Sequence, residues 1–266
     1  MVDDIRSITQ ANKAAWEASA RLHETGKEWD DLLAAAAKPE FSVLDACLTT
    51  TLQGIDINGR NAVQIGCNNA RELLSLASLG AVPALGIDQS ESFLKQGQKL
   101  AELAGQAPLL LEADIYDLPE NLGTYDLVLI TIGVLNWMPD LQSFFEVVRR
   151  LMSPHAMLVI YETHPFMEVF DPATDRPHEP SFSYFDRSPQ EVNEAIAYDG
   201  LDHGVGETGY WFIHSLGDIL TSAVSAGLRI RQLTEHAHTI REPEYDIYCN
   251  RKAQIPMSYT LVTDLN

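Results

Sequence analysis

The sequence predicts an α/β chain organised around a doubly wound parallel sheet, and three observations carry that expectation. Between residues 61 and 162, short apolar runs alternate with amphipathic helical stretches, the signature of strand–helix–strand units covered on both faces. The run 127–131 is apolar almost throughout, as a strand buried on both sides should be. No internal repeat or low-complexity tract competes with this periodicity.

The elements follow in order. Residues 12–48 read as helical, with Trp16, Ala20 and His23 at three- and four-residue intervals and breaks at Gly26 and Pro39, so residues 1–55 are expected to form an N-terminal helical cap. A strand at 62–65 precedes a helix from about Asn69, with Leu73, Leu76 and Ala77 on one face and Gly80 as its left-handed stop. A strand at 84–87 ends at Asp88, and a helix from Ser90 turns Phe93, Leu94 and Leu100 inward until Gly105. Strands at 109–111 and 127–131 follow. Asp140 is the expected N-cap of a helix carrying Leu141, Phe144, Phe145, Val148 and Leu151, which Pro154 ends before a strand at 157–161.

Residues 163–213 change character. Pro165, Pro172, Pro177, Pro180 and Pro189 exclude a long helix, and aromatics are frequent, so this segment reads as an insertion over the sheet, within an α/β unit spanning 56–266. Ser215 and Asp218 form a capping-box pattern for a helix that Gly227 stops. Strands at 228–233 and 258–262, separated by turn material, are expected to close the sheet as an antiparallel pair.

Composition narrows the function. Hydrophobic residues make up 45% and charged residues 21%, an ordinary globular balance. Eighteen Lys and Arg against 38 Asp and Glu leave a net charge of −20, which repels phosphate backbones and anionic headgroups, so neither nucleic acid nor membrane is an expected partner. Cys47, Cys67 and Cys249 are too far apart for a CxxC pair, which argues against a disulfide framework or zinc knuckle and fits a reducing cytoplasm. The opening MVDDIRSITQ lacks a signal pattern, and no apolar run approaches the ~18 residues a membrane span needs.

In an open parallel sheet, ligands bind outside the carboxyl ends of the strands at the switch point. Four loops there are informative. Gln64-Ile65-Gly66-Cys67-Asn68-Asn69-Ala70 turns a strand into a helix through a small residue, letting a ligand meet backbone and a helix N-terminus. Asp88 stands 22 residues after Gly66, the spacing at which a carboxylate accepts from ribose hydroxyls. Asp114, between Ala113 and Ile115, is placed to accept from an adenine amino group. Thr131-Ile132-Gly133 leaves room for the reacting end.

The runs VQIGCNNARELLSLASLG, GIDQS, EADIYDLP, YDLVLITIGVLNWMPDL and LMSPHAMLVIYE resemble, in order, the motifs of the class I S-adenosylmethionine-dependent methyltransferases. The tail HSLGDILTSAVSAGLRI with IPMSYTLVTDL is similar to that family's last helix and closing strands, and His164-Pro165-Phe166 resembles its bacterial small-molecule branch. The resemblance implies a Rossmann-like seven-stranded sheet with the last strand antiparallel, S-adenosylmethionine as cofactor, and a small-molecule acceptor. Implied cofactor contacts are Gly66, Cys67, Asn68, Asp88, Gln89, Asp114, Ile115, Thr131 and Gly133. Gln64 stands where the family usually has an acid, and Asn68 and Ala70 stand where it has glycines. Asparagine tolerates left-handed backbone, so the turn is expected to survive at 68, whereas the Ala70 methyl is expected to narrow the space near the cofactor.

His164 and Glu162, at the end of the fifth strand, are the candidate bases. His164 and His214, where the insertion leaves and rejoins the sheet, are each as readable as a structural hydrogen-bonding group as they are as a general base or substrate contact. Trp137, Tyr184, Trp211 and Phe166 line either a substrate pocket or the lid's own core, and the cap around Trp16 and His23 is expected to close over the cofactor. Cys67 reads as a packing residue. His236 and His238 form an H-x-H without a third ligand nearby in sequence, so no metal is expected. Two other readings stand beside methyl transfer: a non-catalytic nucleoside-binding relative, and an NAD-dependent oxidoreductase, which the lack of G-x-G-x-x-G disfavours.

Overall fold

The computed structural model describes residues 4–197, 201 and 203–265; residues 1–3 of the expected cap and residues 198–200 and 202 of the expected insertion lie outside them. The sheet is built from β1 (Asn61–Ile65), β2 (Val82–Asp88), β3 (Leu109–Glu112), β4 (Tyr125–Thr131), β5 (Met152–Thr163), β8 (Leu228–His236) and β9 (Ser258–Leu265). Their order is β3-β2-β1-β4-β5-β9-β8, with β9 antiparallel to both neighbours and the first five strands parallel. Because β1 pairs with both β2 and β4, the chain winds outward to β3 and then crosses back. This reversal opens a crevice at the carboxyl ends of β1 and β4.

The period-2 alternation of strands splits β4 between two cores. Val128 and Ile130 pack with Phe144, Phe145 and Val148 of α6 (Leu141–Leu151) and Ile219 of α7 (Leu216–Ser225), while Leu127 and Leu129 pack on the other face with Leu73 of α4 (Arg71–Ser75) and Leu48 and Leu52 of α3 (Ala46–Gly54). All four β4 side chains have no exposed surface, which accounts for their unbroken apolar sequence. Helix starts follow the expected caps: Ser90 accepts from Phe93 N–H at α5 (Glu91–Leu103), Asp140 from Ser143 N–H at α6, and Ser215 with Asp218 closes a reciprocal capping box at α7.

One expectation is corrected. Pro154 is not merely a helix stop: α6 ends at Leu151, and Pro154 sits inside β5, which begins at Met152. The pairing with β4 jumps from Met152 to Met157 across this stretch, so the missing proline N–H interrupts no ladder bond. Within the insertion, β6 (Gln190–Glu194) and β7 (Val205–Trp211) form a separate antiparallel pair. Their charged, glycine-containing text lacks apolar alternation.

The first helix, α1 (Ile5–Ser19), docks on β7, where Ala15 packs beside Gly209 and Asn12 makes the hydrogen bonds. Asn12 Oδ1 accepts from Tyr210 N–H at 2.6 Å, and its amide donates to the Tyr210 and Trp137 carbonyls at 3.2 Å each. Ser19 Oγ accepts from Ile196 N–H at 2.9 Å, and the His23 ring meets the Ile196 carbonyl at 2.9 Å. After α1 the chain forms α2 (Gly26–Ala36), whose Trp29 packs with Leu74 and Leu100. Cap and insertion are thus stitched together above the carboxyl ends of the strands.

Candidate active site

A cleft of about 740 Å³, counting its solvent-open part, lies over the β1–β4 switch point. Ile65, Ile87, Ile115 and Val134 give it apolar walls, Trp16 and Trp137 roof it, and Asp88, Gln89 and Asp114 bring polar atoms to one side. A long slot of this kind suits a ligand with a flat apolar ring and a polyhydroxylated middle.

Backbone geometry at the first turn makes the slot. Gly66 has φ +62, and a Cβ there would lie 2.6 Å from Val134 Cγ2, so only glycine lets the β1 turn and the β4 loop approach this closely. Asn68 and Ala70 both adopt left-handed backbone, at φ 50 and 57. The Asn68 carboxamide helps hold its own turn, accepting from Asn69 N–H at 2.8 Å. The Ala70 methyl does not narrow the cleft: it is fully buried and packs with Leu73, Leu76 and Leu94 beneath α4, pointing into the core. Gly133 is left-handed too, at φ +83, and the space a Cβ would occupy is open.

Asp88 is fixed by the turn it faces. Its carboxylate accepts from Asn68 N–H at 2.7 Å and Ser90 N–H at 2.9 Å. Burial raises its pKa, against the opposing pull of those N–H donors. A carboxylate has about four lone-pair sites, so further donors on a ligand can still be accepted. Asp114 is similarly engaged, by Tyr116 N–H at 3.0 Å and by the Thr9 hydroxyl at 2.5 Å. Gln64 is wholly occupied: Oε1 accepts from Leu73 N–H at 2.9 Å, and Nε2 donates to Thr131 Oγ1 at 3.1 Å. The amide thus uses one end as acceptor and the other as donor, and carries no charge into this buried position.

Of the residues expected to touch a cofactor, Gly66, Asn68, Asp88, Gln89, Asp114, Ile115 and Gly133 line the cleft. Cys67 and Thr131 do not; both border the adjoining groove formed with Arg71, Glu72, Arg241 and Glu242. Cys67 is fully buried, and burial drives its thiol pKa well up, so it is inert packing. Thr9, Ser90 and Met138 line the cleft without having been singled out in the sequence. Glu17, also unforeseen, accepts from the Ser90 hydroxyl at 2.5 Å and Ser92 N–H at 3.2 Å.

The two expected bases stand outside the cleft lining. Glu162 is 1% exposed and accepts from Gly133 N–H at 2.5 Å and Leu135 N–H at 3.1 Å, which clamps the loop after β4; burial pushes its pKa up to about 8. His164 is committed on both ring nitrogens. Nδ1 accepts from Phe166 N–H at 3.0 Å and Nε2 lies 2.9 Å from Glu235 Oε1, while burial lowers its pKa against the pull of Glu235. His214 Nε2 donates to the Met138 carbonyl at 2.8 Å, and burial lowers its pKa also. Trp211 donates to Glu168 at 2.8 Å, and Tyr184 packs edge-on against Phe166, so these three aromatics serve the lid's own packing. Trp137 alone of that group faces the cleft, edge-on to Trp16 at 5.5 Å.

Residues 63–158 match a family model described as a methyltransferase domain. That match and the strand order place the fold with the class I S-adenosylmethionine-dependent methyltransferases. No curated protein matches the methyltransferase, but solved structures share its fold. A methyltransferase from Mesorhizobium loti aligns at 20% identity with TM-score 0.58, covering 90% of this chain and 98% of that one. The CcbJ methyltransferase from Streptomyces caelestis aligns at 14% identity with TM-score 0.60, covering 95% and 98%. Magnesium protoporphyrin IX methyltransferase from Synechocystis PCC 6803, with bound SAH, aligns at 15% identity with TM-score 0.56, covering 98% of both chains. The match to a methyltransferase domain supports an enzyme that uses S-adenosylmethionine and favours that reading over an oxidoreductase. Among its described residues no helix is long and apolar enough to cross a membrane.

Proposed function

We propose that this methyltransferase acts on a small-molecule acceptor and holds its cofactor through Gly66, Asn68, Asp88, Gln89, Asp114, Ile115 and Gly133. The observation that carries the reading is Asp88, pinned by two backbone donors at the switch point with acceptor capacity left over. The chain fits the group: open space stands over the Gly133 main chain, and Asp88, Gln89 and Asp114 bring polar atoms to a slot with apolar walls. When bound, S-adenosylmethionine supplies a methyl on a positively charged sulfur that needs no further activation.

The protein's part is therefore alignment and exclusion of water. Trp16 and Trp137 present aromatic surface to the slot, which favours a cation and keeps solvent out. We assign Glu162 as a positioning residue that holds the Gly133 loop, and His164 as a structural one. Residues 1–55 act as the cap, and residues 163–213 as the lid, of the unit at 56–266. The groove at Thr131 and Ile132, with Glu242 and Arg241 on its far side, is the acceptor's approach. The net charge of −20 disfavours nucleic acid, and three free cysteines suit the cytoplasm.

Calorimetric titration with S-adenosylhomocysteine tests this reading. Wild type is expected to bind and Asp88→Ala to bind at least about tenfold more weakly, the equivalent of one lost charge-assisted hydrogen bond. No heat with wild type, or equal affinity in the variant, overturns it.

A further inference from the structure

The H-x-H pair has a third partner that the sequence conceals. Cys47, in the first turn of α3, lies 189 positions before His236, yet its Sγ stands 3.4 Å from His236 Nε2. His238 completes the group: one ligand atom from each of Cys47, His236 and His238 lies within 4.8 Å of the others. We propose that these three residues bind a divalent transition-metal ion of the zinc type, clipping α3 to the end of β8.

Metal geometry supports the assignment. Bond lengths of about 2.0–2.1 Å to nitrogen and 2.3 Å to sulfur in a tetrahedral site require ligand atoms roughly 3.3–3.6 Å apart. The Cys47–His236 pair already has that separation, and His238 needs only a side-chain adjustment. A thiolate with two imidazoles is the donor set that favours zinc or cobalt over calcium or magnesium, and three protein ligands leave a position for water.

Groups behind the ligands orient them. Tyr161 Oη lies 3.0 Å from His238 Nε2 and donates to Asp45 Oδ2 at 2.8 Å, so a carboxylate stands behind that histidine through a phenol. Thr260 Oγ1 lies 3.1 Å from His236 Nε2, the nitrogen that faces Cys47, so a bound metal replaces that contact. A support such as Tyr161 sets the ring orientation that a metal requires. The cluster is also reachable, since His238 is exposed and Cys47 and His236 are partly so. Tyr161 and Asp45 continue into a groove with Thr131 and Ile132, which places the cluster at the carboxyl end of the sheet.

Titrating the reduced, metal-free protein with Co(II) reads the site without reference to activity. One equivalent is expected to give a thiolate-to-cobalt charge-transfer band with tetrahedral visible absorption, displaced by Zn(II). Cys47→Ser abolishes the charge-transfer band, His238→Ala weakens binding by about tenfold or more, and Cys249→Ser leaves both unchanged. Absence of the band in wild type, its survival in Cys47→Ser, its loss in Cys249→Ser, or undiminished affinity in His238→Ala overturns the proposal.

Discussion

The Thr9 hydroxyl donates to Asp114 Oδ2 at 2.5 Å, tying α1 to the carboxylate expected to face an adenine amino group. One residue of the cap thus competes with, or shares, the acceptor that a cofactor would use. Glu17, two turns further along the same helix face, grips Ser90 and Ser92 at the start of α5, beyond Asp88. The cap helix therefore holds the loop after β3 through Thr9 and the start of α5 through Glu17.

Thr9→Val keeps the shape and deletes the donor. A hydrogen bond to a charged acceptor contributes about 1.5–3 kcal/mol, and tenfold in affinity is about 1.4 kcal/mol. If α1 closure retains the cofactor, S-adenosylhomocysteine should dissociate about tenfold faster from Thr9→Val, and limited proteolysis should cut the N-terminal segment sooner. A dissociation rate equal to wild type in stopped-flow displacement would show that α1 does not hold the ligand.

Asn68 separates backbone need from side-chain need at the cofactor turn. Its φ of 50 is costly for most side chains, and its own N–H anchors Asp88. Asn68→Gly keeps both the turn and the N–H, so binding should stay within a fewfold of wild type. Asn68→Val places a β-branched residue in left-handed backbone at a cost of about 1–2 kcal/mol, and should weaken binding roughly tenfold. Equal affinity of the two variants, measured by calorimetry, would mean the turn does not govern the site.

Much of this was legible in the sequence because it rests on local rules. Strand and helix periods, caps at Ser90, Asp140 and Ser215, and the Gly66-to-Asp88 spacing each follow from neighbouring residues. What escaped depends on long-range contact. Glu162 looked like a base at a strand end, but its backbone donors come from the neighbouring β4 loop, 29 and 27 positions earlier. Asn12 reads β7 from 198 positions away, and Cys47 meets His236 across 189. The Ala70 methyl looked obstructive only because its direction is set by α4's packing, which one sequence does not reveal.

Three carboxyls near the lid give stability an unusual pH dependence. Burial pushes Glu162 and Glu242 up to about 8 and Glu168 up to about 7, and nearby carboxylates add to the effect at Glu162 and Glu242. Each keeps its proton in the folded state at pH values where the unfolded chain, near 4.5, has released it. The native state then binds more protons than the unfolded state, so stability falls as pH rises from about 4.5 towards 8. His164 and His214 act oppositely: burial lowers both below 6.5, so they add stability as pH rises towards 6.5. Between pH 6.5 and 8 the carboxyls act with little opposition from these histidines, and urea midpoints should fall steadily across that window. Glu242→Gln, which keeps an acceptor for the Thr163 hydroxyl but cannot ionise, should flatten the decline by up to about one proton's worth. A flat or rising wild-type profile, or an unchanged slope in Glu242→Gln, would mean that these groups are ionised in the folded protein.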